Sequence, residues 1–61
     1  MIKKEYTYAG FLIEIHEHPI YHDFEYVVKN NKGQVEFAST HTYEHYLDAQ
    51  SSAELRINHL Y

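Results

Sequence analysis

Apolar and polar positions alternate along most of this chain and then change period near its end. Phe11, Ile13 and Ile15 share one face of an extended segment, and Leu12, Glu14 and His16 share the other. Phe24, Tyr26 and Val28 repeat the alternation, and Val35 and Phe37 repeat it again. From Tyr46 onward the apolar positions are Tyr46, Ala49, Ala53, Ile57 and Leu60. Steps of three and four put all of these on one stripe of an α-helix. Small residues at the centre of that stripe allow a flat surface to lie close against it.

These patterns predict strands over about 4–8, 11–17, 24–29 and 34–39, followed by a helix from about His45 to Leu60. Ala9-Gly10 and Asn30-Asn31-Lys32-Gly33 supply turns, because Gly and Asn accept left-handed backbone conformations. His18 to Asp23 reads as a connection, and Pro19 within it cannot donate to a strand ladder. The segment from Ser39 to Glu44 is ambiguous. The helix could be capped by Thr42, or it could begin near His45 with Asp48 in its first turn. The expected fold is α+β, an antiparallel meander of three to four strands with one C-terminal helix packed on one face. The expected core is Phe11, Ile13, Ile15, Phe24, Tyr26, Val28, Val35, Phe37, Tyr46, Ala49, Ala53, Ile57 and Leu60.

Composition limits what such a fold can be. Residues 1–61 make one domain, and a chain of that length buries only about 60% of its unfolded surface. Cysteine is absent, so no disulfide supplements the core. The net charge of −4 disfavours a nucleic-acid backbone as partner. The basic residues, Lys3, Lys4, Lys29, Lys32 and Arg56, are scattered rather than clustered, as on a solvated surface. The first residues lack the apolar run of a signal peptide, and no segment reaches the ~20 apolar residues of a membrane span. A cytoplasmic protein with no membrane partner is the expectation.

The run Tyr8-Ala9-Gly10-Phe11-Leu12-Ile13-Glu14-Ile15 resembles the Tyr-x-Gly-aromatic-x-Ile-x-Ile opening of small uncharacterised bacterial and phage domains. Those domains continue through an Asn/Asp-x-x-Gly turn, matched by Asn30 to Gly33. They end in a helix with Ala at four-residue spacing followed by Ile, matched by Ala49, Ala53 and Ile57. The resemblance covers nearly the whole chain. It implies the strand-and-helix layout, and it implies no catalytic residue. The six histidines depart from the pattern.

Histidine is the first candidate for chemistry. On an extended strand His16 and His18 point the same way, with Glu14 on that face and His22 and Asp23 close in sequence. Neutral imidazoles ligate zinc or nickel, so His16, His18 and His22 form a candidate metal set, against the plainer reading of a polar face ending in a polar turn. His41 and His45 straddle the helix start, and His59 suits the carbonyl end of the helix dipole. Glu14, Glu25 and Glu36 fall one per strand on the outer face, where alternating surface charge is the simpler reading than acid–base catalysis. Ser39, Ser51 and Ser52 lack the setting of a nucleophile, and no Gly-rich phosphate loop exists.

Tyrosine is the second candidate. Tyr6, Tyr8, Tyr21, Tyr43 and Tyr61 exceed what the core needs, and tyrosine is enriched at protein interfaces. The leading expectation is therefore a small non-enzymatic binding module with no cofactor. Its partner would be another protein or a second copy of itself, with Tyr6, Tyr8, Tyr21 and Tyr43 at the contact and an exposed strand edge as one docking mode. The alternative is a histidine-based metal-binding domain. A sheet-based DNA reader is a third possibility, opposed by the missing basic face.

Overall fold

The structure is a computed structural model, and it describes residues 1–60. Strands β1 (Ile2–Tyr8), β2 (Phe11–Glu17), β3 (Phe24–Lys29) and β4 (Val35–Ala38) precede one helix, α1 (Tyr46–Leu60). The four strands form an antiparallel meander in the order β1-β2-β3-β4. The helix packs against β2 and β3.

Each tight turn has a local cause. Ala9 and Gly10 both have positive φ, 53° and 85°, as a two-residue hairpin turn of matching twist requires. At the β3–β4 turn Gly33 takes φ 79°, and Asn30 Oδ1 accepts from the backbone N–H groups of Lys32 and Gln34. Beyond β4 the chain returns to the free edge of β3. Phe24 and Tyr43 exchange two backbone hydrogen bonds of 2.7 and 2.8 Å, which closes the gap before the helix. The backbone carbonyl of His45 accepts from Asp48 and Ala49, so the helix takes the later of the two expected starts, with Asp48 in its first turn.

Register decides which residues meet the helix. Ile13 lies opposite Val28 and Tyr6, and Ile15 lies opposite Tyr26 and Lys4. Ile13, Ile15, Phe24, Tyr26 and Val28 are buried beneath Ala49, Ala53 and Ile57. Phe11, Phe37 and Tyr46, expected in the core, pack against it while partly exposed. Two expected core residues lie elsewhere. Val35 is 60% exposed because a β-bulge at Glu36 puts Phe37 opposite Val28 but Val35 opposite Lys29. One inserted residue turns the preceding side chain to the other face. Leu60 is 55% exposed, although its helical position continues the buried stripe.

Polar contacts hold the helix to the edge strands. The Tyr6 hydroxyl donates to Glu54 Oε2 at 2.7 Å, and the Tyr8 hydroxyl donates to Asn58 Oδ1 at 3.0 Å. On the other side Arg56 donates to the Ala38 carbonyl at 3.2 Å and lies 4.4 Å from the Phe37 ring centroid. Arg56, read from sequence as an isolated surface charge, thus ties α1 to β4.

Close apposition at the alanines yields a direct prediction. Ala53→Leu should cost about 1–3 kcal/mol through overpacking. Leu60→Ala should stay within about 0.5 kcal/mol, as surface changes do. Urea denaturation of the two variants checks the contrast.

Candidate functional site

Among the described residues no second layer covers the outer face of the sheet, yet Glu14 at its centre is only 6% exposed. Its cross-strand neighbours are Glu5 and Val27. Oε1 lies 2.9 Å from His16 Nε2, and Oε2 lies 2.9 Å from Lys29 Nζ. Side chains of the same face, rather than an overlying element, shield the carboxylate from water. The hydrogen bonds from Lys29 and then His16 hold the Glu14 carboxyl below its usual range, and burial opposes them. The three glutamates expected to align do not form one row. Glu25 lies opposite His16, Glu14 opposite Val27, and Glu36 sits at the bulge.

The candidate metal ligands separate into three different settings. His16 is engaged with Glu14. His18 Nδ1 accepts from the backbone N–H groups of Ile20 and Tyr21, at 3.2 and 3.3 Å. His22 Nδ1 lies 3.0 Å from Glu17 Oε2. Among the described residues no group of three or more His, Cys, Asp or Glu is placed to hold a metal ion. His16 belongs to the strand, whereas His18 and His22 belong to the loop that follows it, so the shared facing of an extended strand does not reach them.

The four interface tyrosines also divide. Tyr6 and Tyr8 are half-buried and tether the helix. Tyr43 is half-buried, with its ring stacked on Tyr26 at 6.2 Å and tilted against His41 at 4.7 Å. Tyr21 alone of the four is exposed, at 76%, and its neighbour Ile20 is 74% exposed. Tyr61 lies outside the described residues.

The loop that carries Ile20 and Tyr21 is held at several points. Besides the two bonds to His18 Nδ1, the His18 N–H donates to the Asp23 carbonyl and the His22 N–H donates to the His18 carbonyl, both at 2.9 Å. The His18 and Tyr21 rings lie 5.0 Å apart. His22 has φ 58°, a left-handed conformation that is unfavourable for a non-Gly residue. Six polar or aromatic contacts hold this short segment against the strain at His22, and its two large apolar side chains face water. Sequence reasoning placed Tyr21 at a contact but passed over Ile20 beside it; the adjacent Pro19 and the flanking histidines were the available signal.

At the far end of the sheet an open depression of about 380 Å³ lies between the β1–β2 and β3–β4 turns. Ala9, Gly10, Phe11, Asn31, Lys32 and Gln34 are among its lining residues. No sequence signal marked it, because it exists only where two separate turns meet. Among the described residues no helix is long and apolar enough to cross a membrane.

No protein-family model, curated protein or solved structure matches this chain.

Two measurements follow from the polar groups. Glu14 has a lower pKa folded than unfolded, so its stabilisation is present above its ordinary value of 4.5 and is lost as pH falls through the folded value. Glu14→Gln should lower stability by about 1 kcal/mol at neutral pH, and the difference from the parent should close in acid. Denaturation midpoints across pH check this. Burial, and then the bond to Glu54, push the Tyr6 phenol upward. Tyr6→Phe should remove a phenol with a raised pKa from an alkaline absorbance titration and cost about 1 kcal/mol.

Proposed function

We propose that this chain is a small, non-enzymatic protein-binding module whose contact surface is centred on the β2–β3 loop. The observation that carries this reading is the pairing of order with exposure at Ile20 and Tyr21. Large apolar side chains in water are unfavourable, and ordering a loop costs conformational entropy. A loop already fixed in its binding conformation has less entropy to lose on association. Aromatic and aliphatic anchors of this kind dominate the energetics of protein contacts.

Strand addition is the less favoured docking mode. Register shifts interrupt both outer strands, at Lys3 in β1 and at Glu36 in β4. Bulges and charged residues are how edge strands resist pairing with other chains. The acidic balance of the chain favours a protein partner over a phosphate backbone, in a cytoplasmic setting.

Photocrosslinking from position 21 in cells tests the reading. A benzophenone side chain there should give a discrete adduct that is lost with Ile20→Asp, while the same group at the exposed Ser51 should give none. Equal labelling from both positions would refute it.

A further inference from the structure

His18 takes the part that Asn or Asp plays in many turns, where a side-chain oxygen accepts from the backbone N–H two residues on. Here the acceptor is His18 Nδ1, which receives the N–H groups of Ile20 and Tyr21 at 3.2 and 3.3 Å. Pro19 has no N–H, so Ile20 is the first residue that can donate. A ring nitrogen accepts only when it carries no proton, so His18 is the neutral Nε2–H tautomer. His22 has the opposite arrangement. Its Nδ1 lies 3.0 Å from Glu17 Oε2, and a carboxylate only accepts, so this Nδ1 carries a proton. Other charged and titratable groups reach this end from β1, β3 and the segment before α1. The Met1 ammonium donates to the Glu17 carbonyl at 3.3 Å, and Lys3 Nζ lies 4.0 Å from Glu17 Oε1. Asp23 and Glu25 flank Phe24, and the pairing of Phe24 with Tyr43 brings up His41, Glu44 and His45. Among the described residues none of these forms an ion pair with His18. Its ring meets the two amides and the ring of Tyr21.

We infer that the β2–β3 loop is a pH-sensitive latch: neutral His18 holds Ile20 and Tyr21 in their presented conformation, and protonation of its Nδ1 releases them. This rests on the binding reading above and adds the regulation of that surface. Imidazole is the side chain that ordinarily changes charge between pH 8 and 5. A proton on His18 Nδ1 faces two N–H donors, so both bonds are lost together. The pair at the base of the loop responds the other way. A charged His22 still donates to Glu17, and the bond gains charge assistance. The backbone bonds from the His18 N–H to Asp23 and from the His22 N–H to His18 involve no imidazole. Opening is therefore confined to residues 19–21, while the base of the loop stays closed. Ordered presentation limits the entropy lost on association, so the surface is competent at neutral pH and weakened in acid.

Amide hydrogen exchange and imidazole nitrogen-15 spectra of the isolated protein between pH 8 and 5 test this. His18 should show the Nε2–H tautomer at pH 8. Protection of the Ile20 and Tyr21 amides, corrected for the intrinsic exchange rate, should fall about five-fold as the His18 imidazole takes up its proton. The His22 amide should keep its protection. His18→Asn supplies an acceptor oxygen at the δ position that takes up no proton, so its protection should persist to pH 5. His18→Ala should lack that protection at every pH. His22→Asn, which suits the left-handed backbone there, should keep the parent's response. Both positions are exposed and lie outside the core, so these variants retain the fold. An Nδ1–H tautomer at pH 8, protection that does not change with pH, or a response that persists in His18→Asn would overturn the proposal. The crosslink from position 21 keeps the two readings apart. A loop that titrates as described but gives no adduct would overturn the binding module and leave the latch standing. A specific adduct from a loop that does not titrate would overturn only the latch.

Discussion

Ala49 and Ala53 against the centre of the sheet are the contact on which the rest depends. Methyl side chains bring the helix axis close enough for Ile13, Ile15, Tyr26 and Val28 to be buried beneath it. Ile57 extends the contact by one turn. A single helix cannot cover four strands equally, so it packs against β2 and β3. The outer strands then meet the sides of the helix, where polar residues begin. That is why their attachments are hydroxyl-to-carboxylate, hydroxyl-to-amide and guanidinium-to-carbonyl contacts rather than apolar packing. The core is small, in keeping with the modest surface that a domain of this size can bury.

The uncovered face has a different organisation. A carboxylate is shielded there without a layer above it, because Lys29 and His16 converge on it from a diagonal and a same-strand position. The charge is neutralised locally, which limits the cost of desolvating Glu14. Both edges of the sheet carry an irregularity, and each irregularity also reassigns a side chain. At β1 it sends Ile2 opposite His16 while Lys4 stays opposite Ile15, its ammonium 5.4 Å from the Tyr6 ring centroid. At β4 it sends Val35 outward. With face and edges arranged in this way, the two ends of the sheet are the remaining surfaces. One is a fixed apolar projection and the other is a hollow.

Element order, the turns and the buried stripe were legible from sequence because they depend on local periodicity and on backbone preferences of single residues. Alternation in Phe11 to Glu17 and in Phe24 to Lys29 gave both central strands with the observed limits. Gly10 and Gly33 stand where positive φ is required. The alanine spacing identified the helix face that is buried. Only Leu12, apolar on the outer side, hinted that this face is not plainly solvated.

What the sequence determined by itself is therefore the set of elements, their order and the inward face of each central one, since period two and period three-to-four are properties of neighbouring residues. Tertiary structure alone decided the fate of the side chains. Bulges are choices of register between strands, and they moved Val35 out. Convergence from two strands buried Glu14 and engaged His16, while the loop turned His18 and His22 to other partners. The helix drew Tyr6 and Tyr8 inward as tethers and left Tyr21 in water. The bulge, the Glu14–Lys29 pair and the two tyrosine tethers depend on residues far apart in the chain meeting at a distance of a few ångströms, and no local pattern encodes that meeting.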